Sequence, residues 1–198
     1  MRKSKAGSRV VGDVMSMLFM GFAAICVILL ALINEVAKKE VDKSPPPQGQ
    51  LMVELFWDDN IHVDVDLWVM TTADNVPVGY SNKGSEYLNL LRDDVGSTAD
   101  VTNKNMEITY SRGLPDGEYV INAHLFANVQ GILPVEIMMV ASMRPDSNYG
   151  TMDQFVQVKT QLLTNGQEKT LARFKILDGK LVPGSINNFP MEIRARTN

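Results

Sequence analysis

The stretch from Leu51 to Met70 reads LMVELFWDDNIHVDVDLWVM and decides the fold of the larger part of the chain. Apolar and polar residues alternate at period two in Leu51–Trp57, and they do so again in Val63–Met70. Because successive side chains of a β-strand point to opposite faces, this alternation predicts two strands that each bury one face. The region that begins at Leu51 is therefore predicted to be built from β-strands.

The remainder of this region continues in short runs of the same kind. Further strand candidates are Val76–Tyr80, Met106–Tyr110, Glu118–Phe126, Val135–Ser142, Phe155–Leu163, Thr170–Leu177 and Met191–Ala195. Turn-forming residues separate many of them, at Pro115-Asp116-Gly117, Asn165-Gly166, Asp178-Gly179 and Pro183-Gly184. Short strands in this number, with no amphipathic helix of useful length, predict an all-β domain that forms a sandwich or an open barrel.

Two segments of the region allow more detailed predictions. Asn165-Gly166 lies between QVKTQLLT and QEKTLARFKIL, and this combination predicts a tight β-hairpin. Asn82–Asn105 is polar and rich in Gly, Asp and Asn, so we predict a long loop with one short strand around Leu88–Leu91.

The other end of the chain carries an uninterrupted apolar run, Val14–Ile33, which reads VMSMLFMGFAAICVILLALI and follows Asp13. A run of about 20 residues without a charge spans the hydrocarbon core of a bilayer as a helix. Cations precede the run, at Arg2, Lys3, Lys5 and Arg9. The positive-inside rule then predicts that the N-terminus is cytoplasmic. We therefore expect a cytoplasmic tail (1–13), a transmembrane helix (14–33), a linker (34–50) and an exported domain (51–198).

The linker and the charge balance agree with this organisation. Residues 34–50 read NEVAKKEVDKSPPPQGQ. The charged half could extend the helix by two or three turns, and Pro45-Pro46-Pro47 would then end it and stiffen the exit. Residues 1–33 carry a net charge of +3 and the whole chain −4, so the remainder carries −7. A mildly acidic exported part argues against binding to nucleic acid or adsorption to anionic lipid.

A cleaved signal peptide is the alternative to an anchor. Such a signal has an apolar core of about 7–15 residues followed by a small-x-small cleavage site. Here the run is longer and continues into INEVAKKE without such a site after Leu32, which favours the anchor. The single cysteine, Cys26, lies inside the run, so no disulfide can form within the exported part.

The beginning of the apolar run has a recognisable pattern. Gly12–Phe22 reads GDVMSMLFMGF, in which Asp13 is followed by Ser16 one turn on, and then by Leu18 and Phe22. This segment resembles the membrane entry of the ion-driven motor B subunits, the group of the flagellar stator protein MotB, ExbD, TolR and their relatives. The chain departs from MotB in lacking an OmpA-like peptidoglycan-binding domain. It departs from ExbD and TolR in having a β domain instead of a small α/β one.

The resemblance to motor B subunits has functional implications. It implies a single-pass protein of the bacterial inner membrane with a periplasmic domain. It also implies a self-dimer inside a ring of polytopic MotA/ExbB/TolQ-like subunits, with H⁺ or Na⁺ as the transported ion.

A second resemblance covers residues 52–127. The strings DVDLWV, VGYSNKG, LLRDDVGSTAD, NMEITY and LPDGEYVINAHLF are similar to an exported bacterial β-sandwich domain of uncharacterised function. That domain has a DVDLHV strand, a Tyr-Ser-Asn segment, an acidic loop and a closing PxGxYxVxVxxY strand. Matching residues are Asp64, Asp66, Leu67, Gly117 and Tyr119, whereas Trp68 replaces the usual His and Asn105-Met106-Glu107 stands for the usual Gly-Pro-Glu. The resemblance implies an immunoglobulin-like or carbohydrate-binding-like sandwich.

Asp13 is the first candidate site residue, with two possible roles. At the edge of hydrocarbon the charged carboxylate is costly, so a neutral, protonated form is accessible near neutral pH. In the motor interpretation Asp13 takes up a proton or sodium ion and releases it inward, while Ser16 on the same helical face assists it. In the alternative interpretation Asp13 is only the N-cap of the helix at the cytoplasmic interface.

Acidic residues form the second candidate site. Several aspartates cluster in the sequence: Asp58, Asp59, Asp64, Asp66, Asp93 and Asp94. Asp64 and Asp66 project from the same face of one predicted strand, and the loop containing Asp93 and Asp94 could fold over its end. Carboxylate oxygens clustered in this way could hold Ca²⁺. The alternative is that the strand aspartates face solvent and the loop aspartates form Asx turns.

The other residues give weaker indications. His62 and His124, which we expect on different strands, would need carboxylates to complete a zinc site. Aromatic residues that could form a sugar-binding face are Trp57, Trp68, Tyr80, Tyr87 and Tyr110, although strand aromatics more often pack in a core. No catalytic motif is evident in the sequence, so we do not expect an enzyme.

These features lead to two hypotheses of function. The first is a B-type subunit of an inner-membrane motor that couples ion flow at Asp13 to movement of the exported β domain. The second is a membrane-anchored binding or scaffolding module whose β domain recognises a periplasmic protein or glycan. A polytopic MotA/ExbB/TolQ-like protein encoded beside this chain would favour the first.

Overall fold

A computed structural model describes residues 12–29, 50–95, 104–144 and 151–194. The chain divides into two units, Met1–Pro47 and Gln48–Asn198, and each is described by itself. The first unit contains one described helix, α1 (Gly12–Leu29), which by length and composition could cross a membrane or belong to a signal sequence. It agrees with the predicted helix over 14–29. Residues 30–33, the basic tail and most of the linker lie outside the described residues.

The second unit is a β domain, and its strands form two antiparallel sheets. Its strands are β1 (Leu51–Trp57), β2 (Val63–Thr71), β3 (Leu88–Arg92), β4 (Met106–Ser111), β5 (Gly117–Asn128), β6 (Val135–Met143), β7 (Asp153–Leu162), β8 (Glu168–Leu177) and β9 (Lys180–Leu181). Sheet A has the order β3-β4-β1-β6-β7, and sheet B has the order β2-β5-β8-β9. The prediction of a mostly β domain is confirmed.

The two strands that begin the domain enter different sheets. β1 lies in the middle of sheet A, and β2 forms an edge of sheet B. Their alternate residues Leu51, Val53 and Leu55 in β1, and Val65 and Leu67 in β2, are all buried in one core cluster that both sheets share. The period-two pattern therefore reports correctly which face of each strand is apolar.

Sheet B is buried on its outer face as well. Trp68, Met70 and Val120 point away from the shared core and form a second cluster with Ile193 from the C-terminal segment. A sheet covered on both faces needs apolar residues on both faces. This explains why the burial of β2 extends without alternation from Val65 to Thr71.

Two predicted strands are wrong. Val76–Tyr80 makes only two isolated bridges: Val78 exchanges backbone hydrogen bonds of 2.9 and 2.8 Å with Val69, and Gly79 exchanges two with Asn82. Pro77 lacks an N–H and cannot support a continuous ladder there. Met191–Ala195 is not a strand over its described part, residues 191–194, because its backbone N–H groups donate to side chains of sheet B instead of to a neighbouring strand.

The predicted hairpin at Asn165-Gly166 is also wrong. β7 pairs with β6, and β8 pairs with β5, so the turn carries the chain from sheet A to sheet B. Gly166 has the left-handed φ of 76° that the turn chemistry requires. Its N–H donates to the carbonyl of Leu125 on β5 (2.9 Å), which ties the turn to a third strand. Turn residues specify local backbone geometry and leave strand partners open.

Two short strands show what the pattern can and cannot detect. β3 confirms the strand expected around Leu88–Leu91. β9 was not predicted, because two residues carry no alternation; it pairs with β8 across Asp178-Gly179. Both turn residues have positive φ, 51° and 68°, as a two-residue hairpin turn requires.

Candidate functional site

The first candidate site lies in α1. Asp13 and Ser16 are both in the described helix, three residues apart and therefore on one face. Asp13 is the only Asp, Glu, Lys, Arg or His between Gly12 and Leu29. An ion-carrying role for Asp13 stays a prediction.

The second candidate site was the set of four aspartates. Asp64 and Asp66 lie on the outer side of β2, and Asp66 is 2% exposed, so the expectation that it faces solvent is wrong. Asp66 Oδ2 lies 2.8 Å from Nδ1 of His124 on β5. Asp93 pairs with Lys83 at 2.7 Å. Asp94 is buried and pairs with a neighbouring arginine at 3.3 Å.

These aspartates influence one another without forming a recognisable metal site. The pKa of Asp64 is raised to about 7, first by burial and then by the negative charges of Asp66, Asp93 and Asp94. Among the residues that the structure describes, no three His, Cys, Asp or Glu side chains are grouped to hold a metal. Calcium binding at Asp64, Asp66, Asp93 and Asp94 therefore stays a prediction.

A buried carboxyl group that the sequence analysis did not single out lies nearby. Glu107 on β4 faces the core, because it pairs in register with Leu55 of β1. Its Oε2 accepts a hydrogen bond from the backbone N–H of Leu67 (2.6 Å), and its Oε1 accepts one from that of Asp94 (3.4 Å). Burial raises the pKa of Glu107 well above its ordinary value. Glu107 thus joins sheet A to the edge of sheet B.

The outer face of sheet B carries two neighbouring rows of polar side chains. Strand register places the residues of each row opposite one another across β2, β5 and β8; the rows are Asp66, His124 and Glu168, and Trp68, Asn122 and Thr170. Glu168 Oε1 accepts hydrogen bonds from Asn122 Nδ2 (2.6 Å) and from the backbone N–H of Ile193 (2.9 Å). Thr170 Oγ1 accepts one from the backbone N–H of Met191 (2.9 Å). These bonds hold the C-terminal segment against the sheet.

A pocket of about 380 Å³ lies on this face, and we call it the outer-face pocket. Its lining includes Trp68, Tyr80, Ser81, Glu168, Glu192 and Arg194. Trp68 is 1% exposed, and the backbone of Gly79 lies against its ring. Tyr80 meets the edge of Trp68 at a centroid distance of 5.7 Å and lies 5.3 Å from the ring of Phe126.

The predicted grouping of aromatic residues on one sugar-binding face is only partly correct. Trp68 and Tyr80 come together, and Phe126 joins them from β5. Trp57 lies in the shared core, and its indole N–H donates to the carbonyl of Val63 (2.9 Å). Tyr87 packs against that core as well. Tyr110 lies on sheet A, so these three do not extend the aromatic cluster of sheet B.

The histidines do not form a pair. His62 precedes β2 and is not in a strand, which corrects the expectation for it. His124 is buried on β5 and bonded to Asp66. The alternation in Glu118–Phe126 did contain a signal for this site, because it places His124 and Phe126 on the same face.

A larger cavity, of about 790 Å³, lies on the other sheet beside β1, β6 and β7. It is lined by Trp57, Glu136, Met138, Lys159 and Lys169, among others. None of the residues lining it has a buried side-chain polar atom without a hydrogen-bond partner. The outer-face pocket differs in this respect, because Trp68, which lines it, has a buried indole Nε1 without a partner. Asn122 Oδ1 and His124 Nε2, on the neighbouring strand β5, are also buried and unpartnered.

The described residues thus offer two places where function can reside. One is the Asp13 and Ser16 face of α1, and the other is the outer-face pocket of sheet B. The chain matches no family model, no curated protein and no solved structure among those compared with it.

Proposed function

We propose that this chain is the B-type subunit of an inner-membrane motor driven by protons or sodium ions. The observation that carries the proposal is the position of Asp13, the only charged residue in an otherwise apolar helix long enough to cross a membrane. Carboxylates within membrane helices are rare because burial of the charge is costly, and they commonly mark ion pathways. Ser16, one turn further on, supplies a hydroxyl on the same face.

The proposed mechanism uses the two protonation states of Asp13. The carboxylate binds an ion from the periplasmic side, loses its charge and can then face an apolar ring of polytopic subunits. Release of the ion to the cytoplasm restores the charge and changes which ring subunit it meets. Two copies of the chain, joined as a dimer inside the ring, would transmit this movement to their periplasmic β domains.

The experiment that tests the motor replaces Asp13. Asn caps a helix about as well as Asp but cannot take up and release a proton, so an N-cap tolerates this change and an ion carrier does not. We expect Asp13→Asn to insert and assemble normally and to abolish proton or sodium uptake by vesicles that contain the chain and its polytopic partner. Asp13→Glu should retain part of the uptake, and Ser16→Ala should reduce it.

The control for this experiment removes a carboxylate far from α1 in sequence. Asp178 occupies an exposed turn with a φ of 51°, which asparagine also adopts readily. Asp178→Asn should leave ion uptake unchanged. If Asp13→Asn transports as well as the wild type, Asp13 is not the ion carrier and the motor proposal fails.

The outer-face pocket favours a second candidate function, a membrane-anchored binding module. In that case α1 serves only as an anchor, and the β domain recognises a periplasmic protein or glycan. The pocket is of a size that small ligands occupy, and Trp68 in its lining has a buried polar atom without a partner. Full function of Asp13→Asn together with loss of function on changing the pocket would support this candidate.

For the fold we propose an immunoglobulin-like sandwich. Two antiparallel sheets share one core, and the chain crosses from sheet A to sheet B between β4 and β5. Near the start of β5 the hydroxyl of Tyr119 donates a hydrogen bond to the carbonyl of Pro115 (3.0 Å). This arrangement is similar to the tyrosine corner of immunoglobulin-like domains, in which a tyrosine bonds to backbone a few residues upstream.

A further inference from the structure

We propose that the outer-face pocket of sheet B binds a neutral saccharide. The proposal holds whether α1 drives a motor or only anchors the chain. It rests on the polar atoms beside the pocket, on the charges around it and on the exposed aromatic rings next to it.

The protein leaves hydrogen-bonding capacity unused on the outer face of sheet B. Trp68 Nε1, Asn122 Oδ1 and His124 Nε2 are buried and have no partner. Buried polar groups normally have partners, because a buried group without one loses its bonds to water and gains none in return. Of these three residues Trp68 lines the pocket, whereas Asn122 and His124 lie on the neighbouring strand β5 in the two rows described above. A ligand that fills the pocket could accept a hydrogen bond from the indole N–H of Trp68.

The side chains of Asn122 and His124 are fixed in place before any ligand binds. Asn122 Nδ2 donates to Glu168 (2.6 Å) and to the carbonyl of Met191 (2.8 Å), so the amide cannot turn over without losing both bonds. Its Oδ1 therefore remains an acceptor. The bond to Asp66 holds His124 by Nδ1 and leaves Nε2 on the free edge of the ring. Such preorganisation lowers the cost of binding.

The lining residues indicate the chemistry of the ligand. The indole N–H of Trp68 can only donate, and the carboxylates of Glu168 and Glu192 can only accept, so a ligand that bonds to this lining must both accept and donate. A hydroxyl group does both, and saccharides carry several on adjacent carbons. An ammonium group has no acceptor for Trp68, and a carboxylate has no donor for Glu168 or Glu192. These two carboxylates outnumber the one guanidinium of the lining, that of Arg194, which also disfavours an anion.

Exposed aromatic rings beside the pocket can contact the apolar part of a sugar ring. Tyr80 is 36% exposed and Phe126 is 50% exposed, and their rings lie 5.3 Å apart beside the pocket. Exposed aromatic rings offer apolar faces to the C–H groups of a sugar while its hydroxyls reach the polar atoms. The larger cavity on sheet A has no comparable unpartnered polar atoms, so we expect no sugar binding there.

The test uses the full chain in a detergent without a sugar headgroup, because such headgroups would compete. The probes are glucose, galactose, mannose, N-acetylglucosamine and their oligomers, with glucuronate and glucosamine as charged counterparts. Trp68 lies in the pocket lining, so intrinsic fluorescence reports binding, and saturation-transfer NMR identifies the bound sugar. We expect at least one neutral sugar to bind with a Kd in the millimolar range or lower. The corresponding charged sugar should bind about tenfold more weakly, or more weakly still.

Substitutions at the exposed rim keep the test independent of folding. Tyr80 and Ser81 are exposed, so Tyr80→Ala and Ser81→Ala should leave the fold intact and weaken binding several-fold or more. Lys159→Ala in the larger cavity is the matched control and should bind as the wild type does. The proposal is overturned if no neutral sugar binds, if the charged sugars bind better, or if Tyr80→Ala and Ser81→Ala bind as well as Lys159→Ala.

Discussion

Gly79 offers the sharpest test of how the outer face of sheet B is packed. A Cβ atom added at this position would lie 2.5 to 2.7 Å from three ring atoms of Trp68, whereas ordinary contacts begin near 3.4 Å. The indole ring would have to withdraw by about 0.9 Å to relieve the shortest contact. It has little room to do so, because Trp68 is 1% exposed and packs in the second core cluster.

The magnitude of this effect follows from two opposing contributions. Overpacking a buried site costs about 1–3 kcal/mol. Replacing glycine by alanine restricts the unfolded chain, which stabilises the folded state by about 0.4–1 kcal/mol. We therefore expect Gly79→Ala to lower the free energy of unfolding of the β domain by about 1–2 kcal/mol, or its Tm by roughly 3–8 °C.

The assay is thermal unfolding of the full chain in detergent, followed by tryptophan fluorescence. Both tryptophans of the chain, Trp57 and Trp68, belong to the β domain, so the signal reports this domain alone. Gly113→Ala is the matched control, because nothing lies within 4 Å of its added Cβ and its φ is not in the left-handed region. It should be neutral or slightly stabilising.

A double-mutant cycle with Trp68→Leu separates this contact from other effects of the substitution. In the Trp68→Leu background the cost of Gly79→Ala should fall by about 1 kcal/mol or more, because the ring that it meets is gone. Equal stability of Gly79→Ala and Gly113→Ala would refute the packing argument. An undiminished cost in the Trp68→Leu background would show that the loss has another origin.

Two further predictions concern the aspartates. Because the pKa of Asp64 is raised to about 7, the folded state binds more protons than the unfolded state between about pH 4 and 7, and the free energy of unfolding falls as pH rises through this window. Asp64→Asn should make this fall shallower in denaturant titrations. It should also raise the free energy of unfolding above pH 7, by only about 1 kcal/mol because water screens the half-buried side chain. A steeper fall in the variant would reverse the assigned sign. If Ca²⁺ binds the aspartates, adding it should raise the Tm by mass action, and Asp64→Asn combined with Asp66→Asn should abolish this shift; an equal rise in the double variant would exclude them as ligands.

The sequence predicts strands more reliably than it predicts their partners. Alternation in Leu51–Trp57 and Val63–Met70 depends on which face of each strand is buried, and that is a local property. Pairing depends on contacts between distant segments. Asn165-Gly166 therefore makes a turn as predicted, but the strands on its two sides belong to different sheets.

Burial also departs from the simple alternating pattern in β4. In β4 the polar residues Glu107, Thr109 and Ser111 are buried on the core side, while Met106 and Ile108 are only half-buried. Alternation alone would have assigned the apolar residues to the core. The reversal is possible because the edge of β2 offers Glu107 a backbone N–H donor, and only the three-dimensional structure brings them together.

The outer-face pocket could be predicted only in fragments. The aromatic residues Trp68 and Tyr80 were visible in the sequence, and His124 and Phe126 share a face of one predicted strand. The C-terminal segment, which supplies Glu192 and Arg194, is held by side-chain hydrogen bonds that have no periodic signature. Neither strand nor turn patterns could therefore predict the wall of the pocket that this segment forms.

The carboxyl group of Glu107 also bears on solubility. β2 ends sheet B, and the free N–H and C=O groups of an edge strand are a template on which another chain can add a strand. Here the N–H of Leu67 donates to Glu107, and Val69 exchanges both of its backbone bonds with Val78. The edge is thereby closed to intermolecular pairing at Leu67 and Val69. Loss of the Glu107 oxygens would do more than weaken the fold, because it would uncover a site from which aggregation can begin.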